Sequence, residues 1–323
     1  MSVGIVASRF RRKSGSPVTY IDGLPVVFKA GRTAFVDGTL ASNGDGTSFA
    51  QAYNTIQLAL TGLANTTELE ATVFVRPKAL GAYYTESVVA SSALRGLSII
   101  GTGNGKGGSV YQACTWRNSS NSVDDSALDL RPGHASVENI HFFSRAAQSS
   151  GFGIRAYWNT GSGLNIGSAI VNCGFSGDLA DHPAAAGVVQ SAIRFDSNEG
   201  MRVEDCVFVD CRVGIASGST MNAWKELWIV HNTFSGLAAN IAADLFLADG
   251  LNLELHDNTF GHTVPSHAAG TMTKYVFVIG GATVEGSITG NKFCSANAGY
   301  DTDSTAINAK RSANFYTGGL MTS

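Results

Sequence analysis

Apolar and polar residues alternate along most of this chain in short bursts, and the bursts recur. The segments V-E-N-I-H-F, I-V-N-C-G-F, V-E-D-C-V-F, I-V-H-N-T-F, L-H-D-N-T-F and I-T-G-N-K-F end on Phe142, Phe175, Phe208, Phe234, Phe260 and Phe293, spaced 33, 33, 26, 26 and 33 residues apart. Five places before each Phe stands an aliphatic residue: Val137, Ile170, Val203, Ile229, Leu255 and Ile288. Two places before come Ile140, Cys173, Cys206, Asn232, Asn258 and Asn291. Matched columns at a period of roughly 20 to 50 residues are the mark of a repeat architecture.

The alternation, with its β-branched and aromatic side chains, predicts strands rather than helices. Gly, Asn, Asp and Ser between the bursts are turn residues. A copy of this length holds three short strands, and each copy would stack on the next at about 4.8 Å through parallel main-chain hydrogen bonds. The class expected is all-β, a parallel solenoid in which equivalent residues lie above one another. The six Phe rings then form one structural stack. Asn232, Asn258 and Asn291 form a ladder of side-chain amides, and Cys173 and Cys206 in the same column point inward as small apolar groups. The longer copies place extra chain on one face, such as residues 176–187.

The ends differ from the middle. Phe35-Val36-Asp37-Gly38 reads as an opening strand, followed by the turn-rich run Asn43 to Ser48 and then Ala52 to Leu60. Phe49, Ala52, Tyr53, Ile56, Ala59, Leu60 and Leu63 fall on one stripe at helical spacing, with Thr47 or Ser48 as N-cap. A helix there would cover the exposed edges and apolar interior of the coil's open end. Val73 to Val75, Tyr84 to Val89 and Leu97 to Gly101 read as the first rung. The expected organisation is an N-terminal arm (1–33), an opening strand with loop and capping helix (34–66), the coil (67–300) and a C-terminal tail or cap (301–323). Within the arm, Val18 to Phe28 alternates like a strand pair around a turn, and Arg9, Arg11, Arg12 and Lys13 make a basic cluster suited to docking on another surface.

From about residue 34 to 300 these features resemble the right-handed parallel β-helix family of pectate lyases, pectin esterases and phage tailspikes. The resemblance implies a right-handed coil and, by analogy with the tailspikes, a homotrimer bound to other virion proteins through its N-terminal arm. It says little about chemistry, because one scaffold hosts many functions.

Charge and cysteine content narrow the classes. The formal net charge of −3 argues against a nucleic-acid-coating surface. No stretch approaches the roughly 20 apolar residues that span a bilayer. The apolar residues of Met1 to Phe10 precede the basic cluster, the reverse of a secretory signal. Five cysteines without framework spacing point to reduced thiols, with a Cys173–Cys206 disulfide as the alternative.

Several fragments have an enzyme-like outline. Asp124-Asp125 with Gly133-His134 resembles the paired carboxylates of polygalacturonases, without that family's other motifs. Ala243-Asp244-Leu245-Phe246-Leu247 resembles a pectin esterase strand whose partner residues are not assignable. Asp196, Glu199, Glu204 and Asp205, flanked by Arg194 and Arg202, have the composition of a lyase-type Ca²⁺ site with a base, but turn and surface duty explains them. Asp178, Asp181 and His182 fit a polar loop tip. His231 and His256 fit coil turns, and Trp116, Trp158, Trp224 and Trp228 would stack on sugars where exposed. No catalytic, metal or cofactor set is complete. The sequence therefore predicts a structural component of a phage virion, assembled in the host cytoplasm: a capsid decoration, spike, fibre or tail protein with adhesion to host-surface polysaccharide. A tailspike-type depolymerase and a secreted adhesin are the alternatives. Nucleic-acid binding and membrane insertion are not expected.

Overall fold

The structure is a computed structural model. It describes residues 19–21, 24–26, 33–64, 70–79, 82–103, 114–118, 126–143, 152–157, 167–176, 191–196, 199–209, 211, 213–217, 224–235, 243–247, 250–261, 275–278, 284–293, 307–316 and 319–320. The strands build three parallel sheets that the chain visits in turn. Among the described residues the first sheet runs from Thr33–Val36 to Ile307–Ser312 and the second from Tyr84–Thr85 to Phe315–Tyr316, closed by an antiparallel partner, Gly319–Leu320. The third runs from Val88–Ala90 to Val276–Val278. The basic cluster Arg9, Arg11, Arg12 and Lys13 lies outside the described residues, whereas Thr19–Ile21 and Leu24–Val26 do pair as an antiparallel hairpin.

Each column read from the sequence is a register column. Val137 pairs with Ile170, Ile170 with Val203, Val203 with Ile229, Ile229 with Leu255 and Leu255 with Ile288. The six Phe rings stack in single file with centroids 4.6 to 5.3 Å apart and ring planes within 5–11° of parallel. The strand spacing sets that separation, so burial and dispersion hold the rings rather than an ideal aromatic geometry. Trp116 continues the file above Phe142 at 5.4 Å, with Tyr84 in register beyond it.

The corner from first to second sheet is equally regular. A left-handed residue (Asn139, Asn172, Asp205, His231, Asp257, Gly290 or Ala313) turns the chain at φ between 52° and 68°. In the last four of those rungs an inward Asn follows. Each Asn Oδ1 accepts from the main-chain N–H of the preceding rung, from Cys206 to Asn232, Asn232 to Asn258, Asn258 to Asn291 and Asn291 to Asn314, at 2.8–3.0 Å. Each Nδ2 donates to the carbonyl two residues before the corner residue of the preceding rung (Val203, Ile229, Leu255 or Ile288). The ladder thus satisfies donors and acceptors that a tight buried corner would otherwise strand. Cys173 and Cys206 are free and buried in this column, and burial raises the Cys206 thiol well above the ordinary range.

A second left-handed column, unforeseen in the sequence, enters the first sheet: Glu70, Gly96, His134, Gly167, Gly200, Glu226 and Asn252, at φ between 55° and 74°. A Cβ on Gly167 would stand 2.8 Å from the His134 ring one rung away, so close stacking as well as φ favours glycine there.

Two expectations are corrected. Parallel pairing does not stop near residue 300: Val284–Thr289 pairs with Ile307–Ser312, and Lys292–Phe293 with Phe315–Tyr316. The added copy, R-S-A-N-F-Y, puts Arg311 in the aliphatic column and Tyr316 in the Phe column, which hid it. The capping helix starts later than the apolar stripe. Ser48 caps only a short 3₁₀ turn, Phe49–Gln51, and the α-helix spans Ile56–Ala64. Tyr53 intervenes by bridging to Val36 in β geometry. Both oxygens of Glu86, thirty residues on, accept from Ile56 N and Gln57 N at 3.1 Å, so a distant carboxylate closes the helix N-terminus. Ile56, Ala59, Leu60 and Leu63 face the coil interior, while Phe49 packs outside it against Phe35.

Candidate functional site

With the interior filled, chemistry is left to the three outer flanks. Side chains alternate along every strand, so a residue between two buried ones faces outward. On the third sheet, Asp129, Arg155 and Arg194 alternate with buried Leu128, Leu130, Ile154, Ala156, Ile193 and Phe195. Register places the three on successive rungs, Asp129 beside Arg155 and Arg155 beside Arg194. Arg131 holds Asp129 at 3.3 Å, and Ser126 donates to the other carboxylate oxygen at 2.5 Å. The Arg155 and Arg194 side chains thus stand about one rung apart on the outer face. Guanidinium groups bind carboxylates through paired donors.

The first sheet carries a different set. Arg202 pairs with Glu204 at 2.8 Å, Trp228 stands in register between Arg202 and Glu254, and Val230 between Glu204 and His256. His256 bonds Glu254 through Nε2 and Thr289 of the next rung through Nδ1. On the second sheet His141 bonds Ser176 at 2.8 Å, and burial lowers its pKa to about 4. Beside it the Tyr83 and Phe143 rings lie parallel at 5.9 Å, with the Arg117 guanidinium 5.3 Å from the Tyr83 centroid.

Of the residues singled out from sequence, the structure brings Arg202 and Glu204 together as an ion pair. Asp205 and His231 form part of the left-handed corner, but His256 does not: it ends a strand on the outer face, and Asp257 holds the equivalent corner position. Asp244 is buried near the start of a third-sheet strand. Trp116 belongs to the core, and Trp228 is half-buried on the first flank. Asp124, Asp125, Asp178, Asp181, His182 and Trp158 lie outside the described residues, as do the side chains of Asp196 and Trp224. Among the described residues no group of three or more His, Cys, Asp or Glu could hold a metal ion. Arg194 was noted as flanking a carboxylate run; Asp129, Arg131 and Arg155 were missed, because only the register unites them.

No family model matches the sequence, and no curated protein matches it. Solved structures do. A carrot pectin methylesterase superposes over 91% of this chain and 85% of its own, with a TM-score of 0.55 and 11% identity. An Aspergillus niger pectin methylesterase gives 0.52 and 13%, over 90% and 87%. The fold is the right-handed parallel β-helix. At these identities the likeness concerns the path of the chain alone. A tailspike of an Acinetobacter baumannii bacteriophage, a capsular polysaccharide depolymerase, aligns over 89% of this chain and 53% of its own at a TM-score of 0.43, too distant to carry an argument.

Proposed function

We propose that this β-helix is a structural component of a phage particle, a capsid decoration, spike, fibre or tail protein, and that its third-sheet flank holds acidic glycans of the host surface. The observation behind the binding role is the run Asp129, Arg155 and Arg194 on successive rungs, with Arg131 alongside. A rigid flank with cationic groups at fixed spacing suits a polymer that repeats its own charge. In this reading the chain is a homotrimer docked by its N-terminal arm, through Arg9, Arg11, Arg12 and Lys13. The arm and trimer rest on sequence and analogy.

Affinity electrophoresis tests the binding. Acidic capsular polysaccharide in the gel should retard the protein and a neutral one should not. Arg155→Ala or Arg194→Ala should each weaken retardation by about tenfold, the equivalent of one charge-assisted contact. Equal retardation by neutral and acidic polymers would refute the assignment. A depolymerase reading retains one specific observation. Glu138 and Glu204 share a column with Val171 between them, a Cα separation of about 10 Å, near the spacing of inverting glycosidase carboxylates. Glu204, however, is buried against Arg202. New reducing ends appearing in the incubated polysaccharide would favour that reading.

A further inference from the structure

The Glu254–His256–Thr289 chain on the first sheet has no part in that binding role. Glu254 and His256 lie two residues apart on one strand and so share its outer face, while Thr289 stands in register beside His256 on the next rung. Glu254 accepts from His256 Nε2, because a carboxylate has no proton to give. In a neutral imidazole this fixes the tautomer, leaving the Nδ1 lone pair to receive the Thr289 hydroxyl proton. Hydroxyl, imidazole and carboxylate in that order are the parts of an activated nucleophile. The relay also reaches solvent, since the His256 and Glu254 side chains retain 29% and 36% exposure. Trp228 and Val230, one rung away, provide an apolar ledge beside it.

We infer that this flank carries an ester-cleaving site for O-acyl groups on saccharides, with Thr289 as nucleophile, His256 as base and Glu254 as the residue positioning the imidazole. Thr289 Oγ1 bonds to the acyl carbon as its proton passes to His256. The C–O bond to the sugar then breaks, and the sugar oxygen takes that proton. Water, deprotonated by His256, attacks the acyl-threonine, releasing the carboxylic acid and restoring the hydroxyl. No cofactor enters the balance. Trp228 would stack on the sugar ring that carries the ester.

Acetate release from an O-acetylated polysaccharide and from p-nitrophenyl acetate tests the site in the full chain. The wild type should release acetate from both. Thr289→Val should lower the rate at least a hundredfold with an unchanged melting curve, and Thr289→Ser should retain activity because the hydroxyl remains. Glu254→Gln should lower kcat with little change in KM, since the group acts on His256 rather than on substrate. Acid-quenched wild type should carry the acetyl group on Thr289 by mass spectrometry. Wild-type rates in Thr289→Val, or no acetate from either substrate, would overturn the inference. Retardation through Arg155 and Arg194 is read separately, so either function can fail alone.

Discussion

Removing one amide from the middle of the Asn ladder tests the corner directly. Asn258 is 1% exposed; its Oδ1 accepts from Asn232 N at 2.8 Å and from Asn232 Nδ2 at 3.0 Å. Its Nδ2 donates to the Ile229 carbonyl at 2.8 Å and to Asn291 Oδ1 at 2.9 Å. In Asn258→Ala the Asn232 amide N–H loses its acceptor and the Ile229 carbonyl loses a donor, where water cannot enter. The side chains on either side keep other partners: Asn232 Nδ2 still reaches Val203 O, and Asn291 Oδ1 still receives Asn258 N. Two main-chain groups left short, at about 1–3 kcal/mol each, give a loss of about 2–6 kcal/mol. Urea unfolding followed by far-UV circular dichroism measures it. Thr259→Ala, one residue away on the outward side, should stay within about 0.5 kcal/mol of wild type as a surface substitution. A loss below about 1 kcal/mol for Asn258→Ala would mean that the amides merely occupy the corner without holding it.

Phe208→Ala, between rings at 5.0 and 4.6 Å, should cost about 3–5 kcal/mol in the same assay. His141 should give a pH signature. Its folded pKa, about 4, lies below the ordinary 6.5, so its stability is fully present above pH 6.5 and is lost as pH falls through about 4. That shift is worth about 3 kcal/mol, and His141→Gln should remove this part of the acid sensitivity in urea midpoints compared across the window. Deleting residues 1–30 should leave the melting curve of the coil unchanged and abolish incorporation into particles; normal incorporation would discard the docking arm.

The coil was legible because its interior repeats in kind. Phe, aliphatic and Asn columns recur at matched offsets, so the periodicity of the core is written in the chain. What sequence hid was whatever depends on register between unlike segments. Asp129, Arg155 and Arg194 belong to rungs joined by connections of different length, and no spacing rule unites them. His256 follows His231 by one residue too few for a 26-residue rung, which made a strand end look like a corner. The column of Glu70, Gly96, His134, Gly167, Gly200, Glu226 and Asn252 shares a backbone angle across four residue types, so composition gave no sign of it. The terminal copy escaped because Arg311 and Tyr316 carry its positions in place of an aliphatic and a Phe.

From Asn139 to Ala313 the first corner holds one left-handed residue per rung and then the ladder or its inward equivalent, whereas in the two earlier rungs eight residues separate Val75 from Tyr84 and twelve separate Gly101 from Cys114. In those later rungs the length variation falls elsewhere, as between Ser176 and Ser191, where fourteen residues join the second sheet to the third, against three between Val209 and Val213. One edge of the molecule is thus a fixed spine and another a margin free to diversify. Lineages can exchange sequence at the margin without disturbing the spine, and the same position is the natural point to graft a foreign peptide for display.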